Sequence, residues 1–172
     1  IFIVRYLDDP KYAAYEEIAT LDTESGEVQT FGIRRNMFIM RMPDWLDEAK
    51  MMSFVGAIEP PAGPEDRNPP LHLWSTQVGT TVLENPLVKD VVASTGRGHT
   101  VIAMQREPRQ LVEVDALTGS ICTLSADVSM FGGDPSDGYL QMLWHPTLPL
   151  VAIFDSDRLG IVNLETEVFE HM

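Results

Sequence analysis

The amino-acid sequence predicts an all-β fold assembled from four repeated units, and three observations carry that prediction. First, four segments line up: Ile18 to Gly26, Leu71 to Gly79, Leu111 to Gly119 and Leu159 to Glu167. Each is a short apolar strand, then a small polar residue (Asp22, Ser75, Asp115 or Asn163), then a turn. The polar residues are spaced by 53, 40 and 48 positions. Second, a continuous apolar run precedes each segment: Ile1–Val4, Met51–Ile58, Val101–Met104 and Leu150–Phe154. A strand solvated on one face alternates apolar with polar residues, so a continuous run implies cover on both faces. Third, further strand-like runs lie upstream at Arg35–Met40, Leu87–Ala93 and Tyr139–Trp144. Four strands, A to D, recurring every ~40–50 residues is the pattern of a β-propeller blade.

The elements follow in order. Residues 1–33 form blade 1, which starts at strand B and carries only strands B–D. Residues 34–86 form blade 2, with an insert at 41–70 that accounts for the longest spacing. Within it, Met42 to Lys50 reads as one helical turn with Asp44 as N-cap and acidic residues in the first turn. Ile58 to Pro70 carries five prolines in thirteen residues and reads as a stiff, exposed loop, because proline donates no N–H to a ladder. Residues 87–127 form blade 3 and residues 128–172 blade 4. In blades 1 to 3 a glycine (Gly26, Gly79, Gly119) sits four residues after the polar position, where a hairpin accepts positive φ. The whole is a segment of about four blades. Its end faces would be apolar and open, so it is expected to belong to a larger propeller, completed in the same polypeptide or by another subunit.

Composition narrows the function. The 172 residues carry 12 Lys and Arg against 26 Asp and Glu, a net charge of −14. Nucleic-acid binding needs clustered cations, and anionic membranes repel such a chain; neither is expected as a partner. No apolar stretch approaches the ~18 residues of a membrane span, and Ile1–Val4 lacks a basic region or cleavage site, so the expected setting is intracellular. Cys122 is the only cysteine, which excludes an internal disulfide and a cysteine-based zinc site.

Two units resemble a known family. Leu71-His-Leu-Trp-Ser-Thr-Gln-Val-Gly79 resembles the closing strand of a WD-repeat, with Trp74 at the Trp position and Ser75 at the Asp position. Trp144-His-Pro-Thr147, Asp155-Ser-Asp157 and Ile161 to Thr166 resemble the end of strand A, the B–C turn and the closing strand of another. Leu21, Val114 and Val162 replace the Trp elsewhere, and Gly98-His99 lies in an A–B hairpin rather than before strand A. Val112 to Gly119 is also similar to the looser YVTN-like and quinoprotein-like propellers. The resemblance implies a propeller and leaves the subfamily open.

Candidate sites have two readings each. Asp155 and Asp157 flank a turn and either ligate a cation or accept backbone N–H groups, the commoner outcome. Asp127, Asp134 and Asp137 lie in a loop whose spacing does not match a calcium loop. Ser94 to Gly98 is either an anion nest or a glycine-rich hairpin turn. The four histidines fall in different units without metal-ligand spacing; His72 and His145 read as structural. Cys122 reads as an inert packed thiol. Met37, Met40, Met42, Met51 and Met52 cluster, as core filling, an adaptable surface or, least of all, a Cu(I) site. Trp45 and Leu46 beside Asp47 and Glu48 have the composition of an interface anchor, although Trp45 folded back to cap the apolar edge of its own blade is the commoner outcome.

The expected function is therefore a non-catalytic protein–protein interaction scaffold, one propeller subunit of a larger complex, with other protein subunits as partners and no cofactor or metal. The alternative is an enzymatic propeller of lactonase or hydrolase type with its site at the central channel. That alternative needs carboxylates or histidines from several blades converging at one channel mouth.

Overall fold

The computed structural model describes residues 2–9, 12–21, 23–34, 38–39, 44–57, 70–75, 88–131 and 140–172. Fifteen strands and one short 3-10 turn (Ser129–Phe131) make up the regular structure of these residues. β1 (Phe2–Asp9), β2 (Tyr12–Leu21) and β3 (Val28–Arg34) form a three-stranded antiparallel sheet in sequence order, matching strands B, C and D of blade 1.

Blade 2 contains β4 (Phe38–Ile39), β5 (Asp44–Leu46), β6 (Met51–Ala57) and β7 (Leu71–Ser75). β4 and β5 both pair with one edge of β6, and β7 pairs with the other. This corrects the helical turn expected over residues 42–50. Asp44–Leu46 is a strand in register with Met51–Ser53, and the chain turns at residues 47–50, with Lys50 at a φ of 53°. Cross-strand pairing outweighs the local N-cap chemistry of Asp44. Much of the expected 41–70 insert is thus blade: its strands β5 and β6 belong to the sheet. The proline-rich stretch before Pro70 and the expected strand D at Thr80–Leu83 lie outside the described residues.

Blade 3 contains β8 (Val91–Arg97), β9 (Thr100–Gln105), β10 (Gln110–Asp115) and β11 (Ile121–Thr123), paired in sequence order. Its first strand lies later than the expected 87–93. Val88 instead bridges Leu71 at the edge of blade 2, with Leu71 N donating to Val88 O at 2.8 Å, and the chain turns at Asp90, whose φ is 58°. Ser94 to Arg97 is strand, not nest. The hairpin turn is only Gly98-His99, with Gly98 at a φ of 64°, the first central position where a II′ turn takes glycine. Blade 4 contains β12 (Gln141–Trp144), β13 (Leu150–Phe154), β14 (Leu159–Asn163) and β15 (Val168–His171), again in sequence order.

Two apolar cores flank blade 3. Leu46, Val55, Leu71 and Leu73 of blade 2 meet Val101, Ala103, Val112 and Val114. On the other side Ile102, Met104 and Leu111 meet Met142, Val151, Ile153 and Val162 of blade 4. β9 therefore alternates its side chains between two cores, which is why its sequence is continuously apolar. Phe131 closes the second core edge-on against Phe169, whose ring covers the bare Cα of Gly160. Cys122 is exposed, as is all of β11, so it is not the packed thiol expected. Partial burial and the charges of Glu113 and Glu167 push its pKa up, away from a reactive thiolate. Among the described residues no helix is long and apolar enough to cross a membrane.

Candidate functional site

The innermost strands β5, β8 and β12 lie side by side, with β8 in the middle. Each runs into an A–B turn: residues 47–50, 98–99 and 145–149. Between these ends lies a groove of about 490 Å³, lined by Asp44, Asp47 and Glu48 from blade 2, Thr95 to Gly98 from blade 3, and Leu143, Trp144 and Pro146 from blade 4. Three blades, distant in sequence, share one concavity at the end of the inner strands.

Specific contacts hold the three turns together. Glu48 N donates to Gly98 O at 3.1 Å, and the Glu48 carboxylate meets His99 Nδ1 at 2.6 Å. The hydrogen bond that His99 donates to Glu48, together with the Glu48 charge, raises the His99 pKa above its ordinary value. Arg97 reaches the other way. Its Nη1 donates to His145 O at 2.8 Å and Leu148 O at 3.1 Å, and its guanidinium lies 5.9 Å over the Trp144 ring. His145 Nδ1 accepts the N–H groups of Thr147 and Leu148, fixing that turn.

Glycine 96 shapes the groove floor. A Cβ there would stand 2.6 Å from Leu46 Cδ2 and 3.3 Å from Asp44 Cβ. The missing side chain lets β5 press against β8 and half-buries Asp44 at the joint. Burial pushes the Asp44 carboxyl up to about 6, against the hydrogen bond from the Gly96 backbone that favours its ionised form.

The sequence-derived candidates separate accordingly. Asp47 and Glu48 are exposed and line the groove. Trp45 is 37% exposed on the opposite face of β5 from Asp44. Leu46 is 0% exposed and belongs to the core between blades 2 and 3, so it is withdrawn as a surface anchor: strand alternation turns it inward. Asp115 Oδ1 accepts the N–H groups of Leu117 (2.8 Å) and Thr118 (3.0 Å), and Asn163 Oδ1 those of Glu165 (3.0 Å) and Thr166 (3.2 Å). Both are Asx turns. Ser75 ends β7, and Asp22 lies outside the described residues. Asp155 Oδ1 accepts from the N–H groups of Asp157 and Arg158, while its Oδ2 meets Arg158 at 2.5 Å. Burial raises its pKa, but Arg158 and the turn amides outweigh that and hold it low. Asp157 Oδ1 accepts from the Ser156 hydroxyl and sits 3.9 Å from Arg158 Nε. Both oxygens of Asp155 are thus engaged by the chain itself, while Asp157 stays largely exposed. His72 is buried, stacked 5.0 Å from Phe54, with Nε2 at 3.2 Å from Gly56 O. Among the described residues no group of three His, Cys, Asp or Glu side chains could hold a metal ion.

Sequence reasoning missed Asp44, Arg97 and Trp144 as groove residues. The available signal was positional: each stands within three residues of an A–B turn once the strands are aligned.

Fold and site define a β-propeller segment with a groove at the A–B end of its inner strands. Solved β-propellers are similar to it throughout its length. TolB from Acinetobacter baumannii gives a TM-score of 0.60 at 14% identity, over 99% of this chain and 40% of that one. U3-55K gives 0.55 at 10% identity, over 98% and 54%. An auxiliary nutrient binding protein from Bacteroides thetaiotaomicron VPI-5482 gives 0.51 at 14% identity, over 96% and 40%. The chain spans about half or less of the length of these structures. At such identities the likeness establishes the fold alone. No family model matches the sequence, and no curated protein matches it.

Proposed function

We propose that this chain is a non-catalytic interaction scaffold, a WD-repeat-like propeller subunit of a larger protein assembly. The groove at the A–B end carries this reading. Its walls come from three blades tied to one another by Glu48–Gly98, Glu48–His99 and Arg97–His145 contacts, so it presents a preorganised surface. It combines an aromatic, apolar residues and charged groups, the composition of a recognition site. U3-55K, a WD40 protein, shares the fold and lends analogy only. Affinity purification of the tagged protein from its native cells, followed by size-exclusion chromatography, tests it. A stoichiometric complex is expected. A chain that elutes alone contradicts the proposal.

One observation favours the enzymatic alternative: burial pushes the carboxyl of Asp44, in this groove, up to about 6, a range suited to general acid–base work. The acidic groups of the groove all come from blade 2, however, rather than from several blades. Hydrolysis of ester or lactone substrates that disappears in Asp44→Asn would establish the alternative.

A further inference from the structure

The groove also identifies the chemistry of what enters it, and this inference rests on the scaffold reading. Its charges are not equally available. Glu48 is paired with His99. Arg97 is committed to the carbonyls of His145 and Leu148 and to the face of Trp144. Asp47 is exposed and has no hydrogen bond or ion pair with any described residue. Asp44 faces the same space from the joint of β5 and β8, with a Gly96 backbone hydrogen bond as its protein partner. The groove lining holds three carboxylates against the one Arg97 guanidinium, so its charge is negative, while its far wall is Leu143, Trp144 and Pro146. About 490 Å³ admits a few side chains rather than a folded element. The net charge of −14 steers cations toward the chain and repels phosphate-rich ligands.

We infer that the groove is the docking site for a cationic segment of the protein partner, with an Arg or Lys side chain held between the Asp44 and Asp47 carboxylates and its aliphatic stem against the Leu143–Pro146 wall. A planar guanidinium pairs with a carboxylate through two parallel hydrogen bonds, so Arg is the better fit.

Calorimetric titration of the purified chain with end-blocked tetra-arginine, tetra-lysine and tetra-glutamate peptides tests this. Tetra-arginine is expected to bind more tightly than tetra-lysine, and tetra-glutamate not at all. Asp44→Asn and Asp47→Asn are each expected to weaken tetra-arginine by about fivefold to tenfold, the scale of a lost charge pair at a partly exposed interface. Glu165→Gln, an exposed carboxylate of blade 4 with the same charge change, is expected to alter affinity less than twofold. Equal losses in all three variants, or none in Asp44→Asn and Asp47→Asn, would show diffuse attraction to an acidic protein and overturn the site. Thermal melts guard against misfolding, and Asp47 lies on an exposed turn where folding does not depend on its charge. A stoichiometric cellular complex alongside absent peptide binding overturns this site and leaves the scaffold reading intact. Peptide binding without any cellular complex rejects the scaffold reading instead.

Discussion

Blades 3 and 4 have B strands that read alike and sit differently. Val101-Ile-Ala-Met104 and Leu150-Val-Ala-Ile-Phe154 are both unbroken apolar runs. All four residues of the first are buried, two toward each core. In the second only Val151 and Ile153 are buried; Leu150, Ala152 and Phe154 lie on a face that the described residues leave partly open. The same face carries Leu143 at 58% exposure, Leu159 and Val168. Sequence pattern therefore reports the burial a strand is written for, not the cover the described residues supply.

The largest expected difference between the two blades is in their cores. Ile102→Ala, at 0% exposure between blades 3 and 4, is expected to cost about 3 kcal/mol in denaturant titration. Ile161→Ala, on the open face of blade 4, is expected to cost about 1 kcal/mol or less. Equal costs would mean that the open face is covered in solution.

Glycines sharpen the comparison next. Gly96→Ala drives a methyl into Leu46 at the blade 2–3 joint, and Gly160→Ala drives one into the Phe169 ring of blade 4; each is expected to cost about 1–3 kcal/mol. Gly119→Ala meets nothing within 4 Å and strains only a φ of 73°, so about 1 kcal/mol is expected. A smaller loss at Gly160 than at Gly119 would show that Phe169 swings away freely.

Turn residues come third. Asn163→Ala leaves the Glu165 and Thr166 amides of a blade 4 turn to water and is expected to cost about 1 kcal/mol. A loss under a few tenths would make the Asx bond incidental.

The smallest effect is in pH. Asp44 is raised to about 6, so the folded chain holds this proton more tightly than the unfolded chain. Its contribution is therefore present below about pH 4 and fades as pH rises through 6. His99 is also raised, by Glu48, so its contribution is full below the ordinary histidine value and lost as pH climbs through the higher folded one. Around Asp44 stand Asp47, Glu48 and Arg97; around His99 stand Glu48, Glu113 and Asp115. Asp44→Asn should flatten the slope of melting temperature between pH 4 and 6, and Glu48→Gln the slope above pH 6.5. An unchanged slope in either variant refutes the corresponding assignment.

Strands B, C and D of blades 1, 3 and 4 were legible because their turn chemistry is local: Asp115 with Gly119, and Asn163 with its two amides, declare hairpins within five residues. Strand A was not. Asp44-Trp-Leu46 follows a proline and precedes acids, so it imitates a helix start, and only its pairing with β6 reveals a strand. Gly96 and Gly98 look like one loop, yet Gly96 is a strand residue that makes room for Leu46. The groove was illegible for a further reason: Asp44, Arg97 and Trp144 each stand about fifty residues apart and meet only when three sheets pack side by side.

A partner is proposed to meet this chain at the A–B end of its inner strands. Hydrogen-exchange mass spectrometry of the purified native complex against the free chain tests it most directly. Added protection is expected over residues 47–50, 97–99 and 145–148, with residues 117–120 unchanged. Protection confined to residues 117–120 and 164–167, with the three A–B turns exchanging as in the free chain, would contradict it.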